Sequence, residues 1–151
     1  GHTHANPGTA VGSHWGRYKF DQAYDLSNLW IWNWNEDPFN LFGWKHLTVE
    51  YSLTGGPNAS DWTTLATDVF VPVGTKTAGM PASLILPMGG ITAQYVVLTN
   101  VGFGAEENHS NGQFTNDAGL SEVRFEVVPV PEPASLTLLS LGGLALLRRR
   151  K

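Results

Sequence analysis

The residues best suited to acid–base chemistry in this chain are two pairs of adjacent carboxylates, Glu36-Asp37 and Glu106-Glu107. A glycosidase needs two carboxyl groups that face each other across the scissile bond, roughly 5–10 Å apart. Neighbours in one loop do not define that geometry, and the ordinary interpretation is solvated loop charge. We therefore predict no enzymatic activity, with a small glycan-active hydrolase that uses Glu36 or Glu106 as the alternative.

The sequence offers no other catalytic or metal-binding constellation. His2 and His4 would share one face of a strand, but no third ligand lies nearby, so we predict no metal site. Signatures of serine hydrolases, zinc metalloproteases, P-loops and dinucleotide folds are missing. The absence of cysteine excludes disulfides and thiolate chemistry.

The charge distribution argues against a nucleic-acid partner. The chain of 151 residues has nine Lys or Arg and thirteen Asp or Glu, and four of the nine positive charges are residues 148–151. The rest of the chain has a net charge of −8. Because binding to a phosphate backbone needs clustered Lys and Arg, we predict that no nucleic acid is bound.

Short alternating segments, separated by Gly, Pro, Asn and Asp, predict an all-β domain over residues 1–128. No segment before Ala134 keeps a helical period. About eight short strands fit an antiparallel jelly roll or β-sandwich. The predicted strands are 18–21, 26–34, 44–53, 62–66, 69–73, 83–87, 95–100 and 120–128.

The alternation also predicts which faces are buried. Residues 46–52 and 122–127 alternate between apolar and polar side chains, so each strand has one core face. Residues 29–34 (LWIWNW) are apolar on both faces, which predicts a central strand. Three tryptophans are expected in the core: Trp30, Trp32 and Trp62. Trp15, Trp34 and Trp44 lie nearer strand ends, so for them the sequence leaves two alternatives, burial in the core or exposure as a stacking platform for a sugar.

Residues 129–151 have a different character from the rest of the chain. Three alternating prolines at 129–133 predict an extended linker. The Leu-rich run 136–147 predicts a hydrophobic helix of roughly 18 Å, short for a bilayer core of about 30 Å. The basic end would stay on the cytoplasmic side. This order of linker, apolar run and basic end predicts an exported protein that is anchored in the membrane by its tail until the tail is processed. The alternative is that the apolar run forms a terminal helix of the domain core.

The tail resembles a PEP-CTERM sorting domain in order, spacing and motif. In that family an exosortase, a membrane transpeptidase-like enzyme of Gram-negative-type bacteria, recognises the tail. The resemblance implies an exosortase partner, transient anchoring in the inner membrane, and a final place on the cell surface or in the extracellular matrix. The residues that carry the sorting motif are Pro131, Glu132, Pro133, Arg148, Arg149 and Arg150.

Five segments of the body carry short motifs in a fixed order: 20–26, 29–36 (LWIWNWNE), 47–65 (beginning LTVEYS), 95–99 (YVVLT) and 119–125 (GLSEVRF). In this order they resemble the motifs of discoidin domains, also called F5/8 type C or galactose-binding-like domains. The resemblance implies a discoidin-like sandwich without a catalytic cofactor. Structural calcium helps many relatives to fold, and the segment that would hold it precedes the first of these motifs.

Discoidin-like modules bind ligands on loops at one end of the sandwich, so the resemblance implies a weak polysaccharide site there. Asn and Glu side chains can pair with sugar hydroxyls, and aromatic rings can stack on the apolar sugar face. A purely structural matrix protein without a specific ligand is the alternative. The corresponding residues of this chain are Asn35, Glu36, Asn40, Phe103, Glu106, Asn108 and Trp15.

Overall fold

The computed structural model describes residues 14–101, 108–110 and 117–128. Its strands are β1 (Trp15–Asn33), β2 (His46–Ser52), β3 (Thr63–Phe70), β4 (Leu84–Asn100) and β5 (Leu120–Val127). Within those ranges, the only helical pieces are two short 3-10 turns, Asn40–Phe42 and Ala59–Asp61. The prediction of an all-β domain is confirmed.

The strands form one antiparallel sheet in the order β3-β2-β4-β1-β5. β1 and β4 pair along most of their length. β5 pairs with only the C-terminal part of β1, and β2 with only the C-terminal part of β4. The sheet therefore has a three-stranded part, β5-β1-β4, and a four-stranded part, β1-β4-β2-β3. Because β1 lies between two neighbours, its predicted central position is confirmed.

The described residues form five strands where the sequence predicts about eight, because three predicted breaks are bulges inside continuous strands. Gly89 and Gly90, with φ of 68° and 73°, interrupt the pairing of β4 without ending it. Asp68, with φ of 53°, lies at a register shift in β3. In β1, residues 20–23 lie opposite Gln94 alone. The predicted antiparallel arrangement of the strands is confirmed, while the jelly-roll or discoidin-like topology stays a prediction.

These bulges bend the long strands, so that the two parts of the sheet share one core. The buried cluster combines Leu29 and Ile31 of the three-stranded part with Val49 and Leu98 of the four-stranded part. The Phe125 ring of β5 also meets the rings of the N-terminal part of β1, including that of Tyr18 at 5.2 Å. Burial raises the pKa of the Tyr18 hydroxyl, as expected of a phenol in this core.

The predicted faces agree with the structure in β5, and in β2 for the apolar face alone. Leu47 and Val49 are buried on the core side, and the charged residues of β5 point away from the core. The predicted polar face of β2 is buried as well, at Thr48, Glu50 and Ser52. Ser52 Oγ accepts hydrogen bonds from the N–H groups of Thr54 and Gly55.

The tryptophan prediction is correct for Trp62, which is 7% exposed, and wrong for Trp30 and Trp32. In β1, Leu29 and Ile31 face the core, so the alternation turns Trp30 and Trp32 to the outer face, where they are half-buried. An apolar run on both faces does not say which face is the core.

The predicted hydrophobic helix and the sorting residues lie outside the described residues, as do His2 and His4. Within the described ranges, no helix is long and apolar enough to cross a membrane. The boundary between a β-domain of 1–128 and a tail of 129–151 stays a prediction.

Gly74 is a point where two segments touch too closely for a side chain. A Cβ at this buried position would lie 2.2 Å from the Trp34 carbonyl oxygen. We expect Gly74→Ala to lower the free energy of unfolding by about 2 kcal/mol, because backbone must move to admit the methyl group. Urea denaturation measures this loss.

Gly16→Ala is the matched control for Gly74→Ala. At Gly16 the nearest atoms to an added Cβ belong to the Tyr18 ring at 3.6 Å, which is ordinary contact. We expect Gly16→Ala to change stability by no more than about 0.5 kcal/mol. Equal effects of the two substitutions would contradict the close approach of Gly74 to Trp34.

Candidate functional site

Three loops meet at one end of the sheet, beyond the C-terminal end of β1. They are the segment 34–45 after β1, the segment 71–82 after β3, and the described parts of 101–119. The His109 N–H donates to Leu41 O at 2.9 Å, and the Gly119 N–H donates to Phe42 O at 3.0 Å. The structure thus brings together the loop after β1 and the late loop, as the sequence predicts.

Asn33 joins these loops from the end of β1. Its fully buried Nδ2 donates to Trp44 O at 2.8 Å and to Pro72 O at 2.9 Å, while its Oδ1 accepts from the Trp34 N–H. A Cβ on Gly43 would lie 2.5 Å from Asn33 Oδ1, so the chain needs glycine there. One side chain therefore holds both ends of the segment 34–45 and the start of the segment 71–82.

Three predicted ligand residues use their side-chain amides to hold these loops. Asn40 and Asn108 are buried, and each Nδ2 donates to a backbone carbonyl, that of Gly74 at 2.7 Å and that of Asp117 at 2.6 Å. Asn35 accepts from the Lys76 N–H and donates to Thr77 O. Their direct effect is on loop geometry, and Asn35 alone of the three keeps a half-exposed side chain.

Of the other predicted residues, the structure describes Glu36 and Trp15. Glu36 is exposed in the loop after β1, and Trp15 is half-buried at the start of β1, opposite Thr99. Phe103 and Glu106 lie outside the described residues. Their place in the site stays a prediction.

A cleft of about 400 Å3 opens at this end of the sheet. The Trp34 indole packs so closely on Gly119 that a Cβ there would lie 2.8 Å from its Cε3. The Asp117 side chain is exposed beside these apolar groups. The cleft therefore combines aromatic walls with a carboxylate, as carbohydrate sites do. Its lining residues are His14, Trp34, Phe42, Asp117, Ala118 and Gly119.

Sequence reasoning missed Phe42 and Asp117 and left Trp34 open. Asp117 stands two residues before the GLSEVRF motif, and Trp34 directly follows the last residue of β1. Asp117 and Trp34 share one property that the sequence shows, because each lies at or near the end of a predicted strand. The sequence does not show that these two strand ends meet in the fold.

His109 anchors the late loop on the start of the segment after β3. Its Nε2 lies 2.9 Å from Val71 O, and the exposed Phe70 ring meets the imidazole edge-on at 5.7 Å. Burial lowers the pKa of His109. The ring is therefore neutral at neutral pH and contributes no positive charge to this end.

The described residues do not form a metal centre. Within residues 14–101, 108–110 and 117–128, no three His, Cys, Asp or Glu side chains are grouped so that they could hold a metal ion. Structural calcium stays a prediction of the discoidin resemblance, which places it in the segment before residue 20.

Comparison with known protein families identifies the motif in residues 129–151. The family described as "PEP-CTERM protein-sorting motif" matches residues 129–151. The chain carries a PEP-CTERM sorting motif. The motif begins two residues after the last residue of β5, and it indicates an exported protein that an exosortase sorts through the membrane. Comparisons with the curated proteins and with the solved structures give no significant match.

Proposed function

We propose that this PEP-CTERM protein is a non-catalytic component of the cell surface or extracellular matrix of a Gram-negative-type bacterium, where it binds polysaccharide weakly. The sorting motif at 129–151 is the observation that carries this proposal. A protein delivered to that place meets the bacterium's own exopolysaccharide at high concentration. Weak sites suffice there, because many displayed copies raise the effective affinity by avidity.

The cleft at the loop end supports a polysaccharide ligand. Trp34 and Phe42 offer apolar surface to the C–H face of a sugar ring, and Asp117 offers acceptors to its hydroxyl groups. Glu36 adds an exposed carboxylate to the loop after β1. The sequence-predicted contacts Trp15, Phe103 and Glu106 belong to the same proposal.

The non-catalytic part of the proposal rests on the carboxylates. Asp37 Oδ1 lies 3.2 Å from Lys76 Nζ, so this neighbour of Glu36 is part of an exposed ion pair. The Glu36-Asp37 pair is exposed at the surface, and no enclosed site surrounds it in the described residues. Binding is the chemistry these groups favour.

We expect affinity electrophoresis to detect weak binding, with a dissociation constant on the order of 0.1–1 mM. The gels contain the producer's own exopolysaccharide or a soluble neutral polysaccharide. Asp117→Ala combined with Phe42→Ala should abolish most of the retardation that the cleft contributes, because both a hydrogen-bonding group and a stacking ring are lost.

Gln22→Ala is the control, since Gln22 is exposed in the β1 bulge, away from the loops. Mobility unaffected by any polysaccharide would overturn the proposal and favour a structural matrix protein. Release of reducing sugar from the gel polymer, lost in Glu36→Gln, would favour the hydrolase instead.

A further inference from the structure

The outer face of the three-stranded part of the sheet carries two neighbouring indoles. Trp30 and Trp32 lie on the side of β1 opposite the core, with ring centroids 6.2 Å apart and planes 17° from parallel. A groove of about 370 Å3 runs beside them, and its lining is mostly apolar. The groove residues are Trp30, Trp32, Arg124, Phe125 and Glu126.

This groove continues along β5 toward the loop end. Trp32 and Arg124 also line an adjoining cleft of about 420 Å3, which they share with Asn35, Met80, Ser121 and Glu122. Ser121 and Glu126 lie five positions apart in β5, which corresponds to about 17 Å of strand. The combined surface, called the Trp30–Trp32 groove below, is long enough for several consecutive sugar rings.

Polar groups fix the orientation of both indoles. Glu126 Oε2 accepts hydrogen bonds from Asn28 Nδ2 at 2.6 Å and from Trp30 Nε1 at 3.4 Å. These two bonds lower the pKa of Glu126, Asn28 contributing most, so the carboxylate is ionised at neutral pH. Trp32 Nε1 donates to Met80 O at 3.1 Å. Fixed rings lose little side-chain entropy when a ligand binds.

A charged rim borders the indoles. The Arg124 guanidinium lies 5.0 Å from the centroid of the Trp32 ring, and Arg124 Nε contacts Glu122 Oε1 at 2.5 Å. The side chains of Arg124 and Glu122 remain 65% and 45% exposed, so donors and acceptors are both available at the edge of the groove.

We propose that the Trp30–Trp32 groove binds a strand of neutral polysaccharide, a second binding surface that rests on the proposed polysaccharide function. Pyranose rings have apolar C–H faces and a polar rim of hydroxyls. The two indoles can stack on the apolar C–H faces, and Arg124 and Glu126 can hydrogen-bond to the hydroxyls. The length of the groove selects a chain of sugars over a single one.

The charges of the groove decide between neutral and anionic chains. Glu122 and Glu126 outnumber Arg124, and the chain without its basic end is itself acidic, with a net charge of −8. A polyuronate would be repelled. A protein partner would have to bury the Arg124–Glu122 ion pair, and the desolvation of two charges opposes that. The hydroxyl groups of a sugar can hydrogen-bond to these charges in place of water, so a neutral polysaccharide does not incur this desolvation cost.

The test is affinity electrophoresis of the full-length protein in gels that contain hydroxyethyl cellulose, galactomannan or polygalacturonate. We expect retardation by at least one of the two neutral polymers and none by polygalacturonate. Trp32→Ala and Trp30→Ala should each weaken the retardation about tenfold. Trp32→Phe, which keeps an aromatic face, should restore part of it and guards against a folding defect in the alanine variants.

Leu53→Ala is the control, because Leu53 is an exposed apolar residue directly after β2, away from both the groove and the loop-end cleft. Full retardation of folded Trp30→Ala and Trp32→Ala would overturn the groove and leave the proposed function at the loop cleft intact. Mobility unchanged in every gel would overturn both. Retardation by polygalacturonate alone would overturn the neutral ligand. An oligomer in light scattering that dissociates in Trp32→Ala, with retardation unchanged, would make a second copy the occupant and overturn the proposal.

Discussion

Replacing Arg148, Arg149 and Arg150 with glutamate is expected to stop sorting of the protein almost completely. The hydrophobic run 136–147 is short for a bilayer, so its position depends strongly on the positive charges that follow it. Carboxylates at the same positions remove the bias that retains this end in the cytoplasm. Cell fractionation with mass spectrometry of the C-terminus should show loss of processed, exported protein.

The matched control is the triple substitution of the same arginines by lysine, which keeps the charge and should preserve sorting. In the unmodified protein, mass spectrometry should find a C-terminus that ends before Arg148. An exported protein that retains Arg148–Lys151 would contradict processing of the tail. Normal export of the glutamate variant would contradict the role of the charges.

The second large effect is expected in the fold. Asn33→Ala should lower the free energy of unfolding by about 3 kcal/mol, because it leaves the buried carbonyl of Trp44 without its donor and also removes the part-buried hydrogen bond to Pro72 O. Thermal and urea denaturation measure the loss. Polysaccharide binding at the loop-end cleft should also weaken, since Asn33 holds the segment 34–45, which carries Trp34 and Phe42.

Asn33→Asp separates hydrogen bonding from packing. The side chain keeps its size, but at neutral pH it places a carboxylate against two carbonyl oxygens, so we expect a loss at least as large as that of Asn33→Ala. Gln22→Ala, at an exposed position, should leave stability within about 0.5 kcal/mol. A stable Asn33→Asp would show that only the volume of Asn33 matters.

The sequence was sufficient to predict those features that depend on a short local pattern. Alternation in 46–52 and 122–127 predicted two strands and their apolar faces, and the apolar run at 29–34 predicted a central strand. The sorting motif was readable because order and composition define it without any tertiary contact.

Features that depend on distant contacts were not predictable in the same way. Gly89-Gly90 has the composition of a turn, but pairing with β1 on both sides of it carries β4 through a bulge. The exposure of Trp30 and Trp32 also depends on distant contacts, because the side of β1 on which the core packs decides which of its side chains are buried. Asn40 and Asn108 lie at the loop end, but their amides donate to the carbonyls of Gly74 and Asp117, 34 and nine residues away in sequence, which no local pattern indicates.

The position of β5 has a mechanical consequence. β5 is an edge strand, it pairs only with β1, and it is the last strand before the sorting motif. Any pulling force that reaches the domain through its C-terminal attachment therefore acts first on the β5–β1 ladder. Forced unfolding depends on the rate at which such a ladder opens, and the total stability of the domain matters less. In a protein attached through its C-terminus, the resistance to shear would thus be set by the Leu26–Asn33 side of β1 and by Phe125, which packs on the core beneath it.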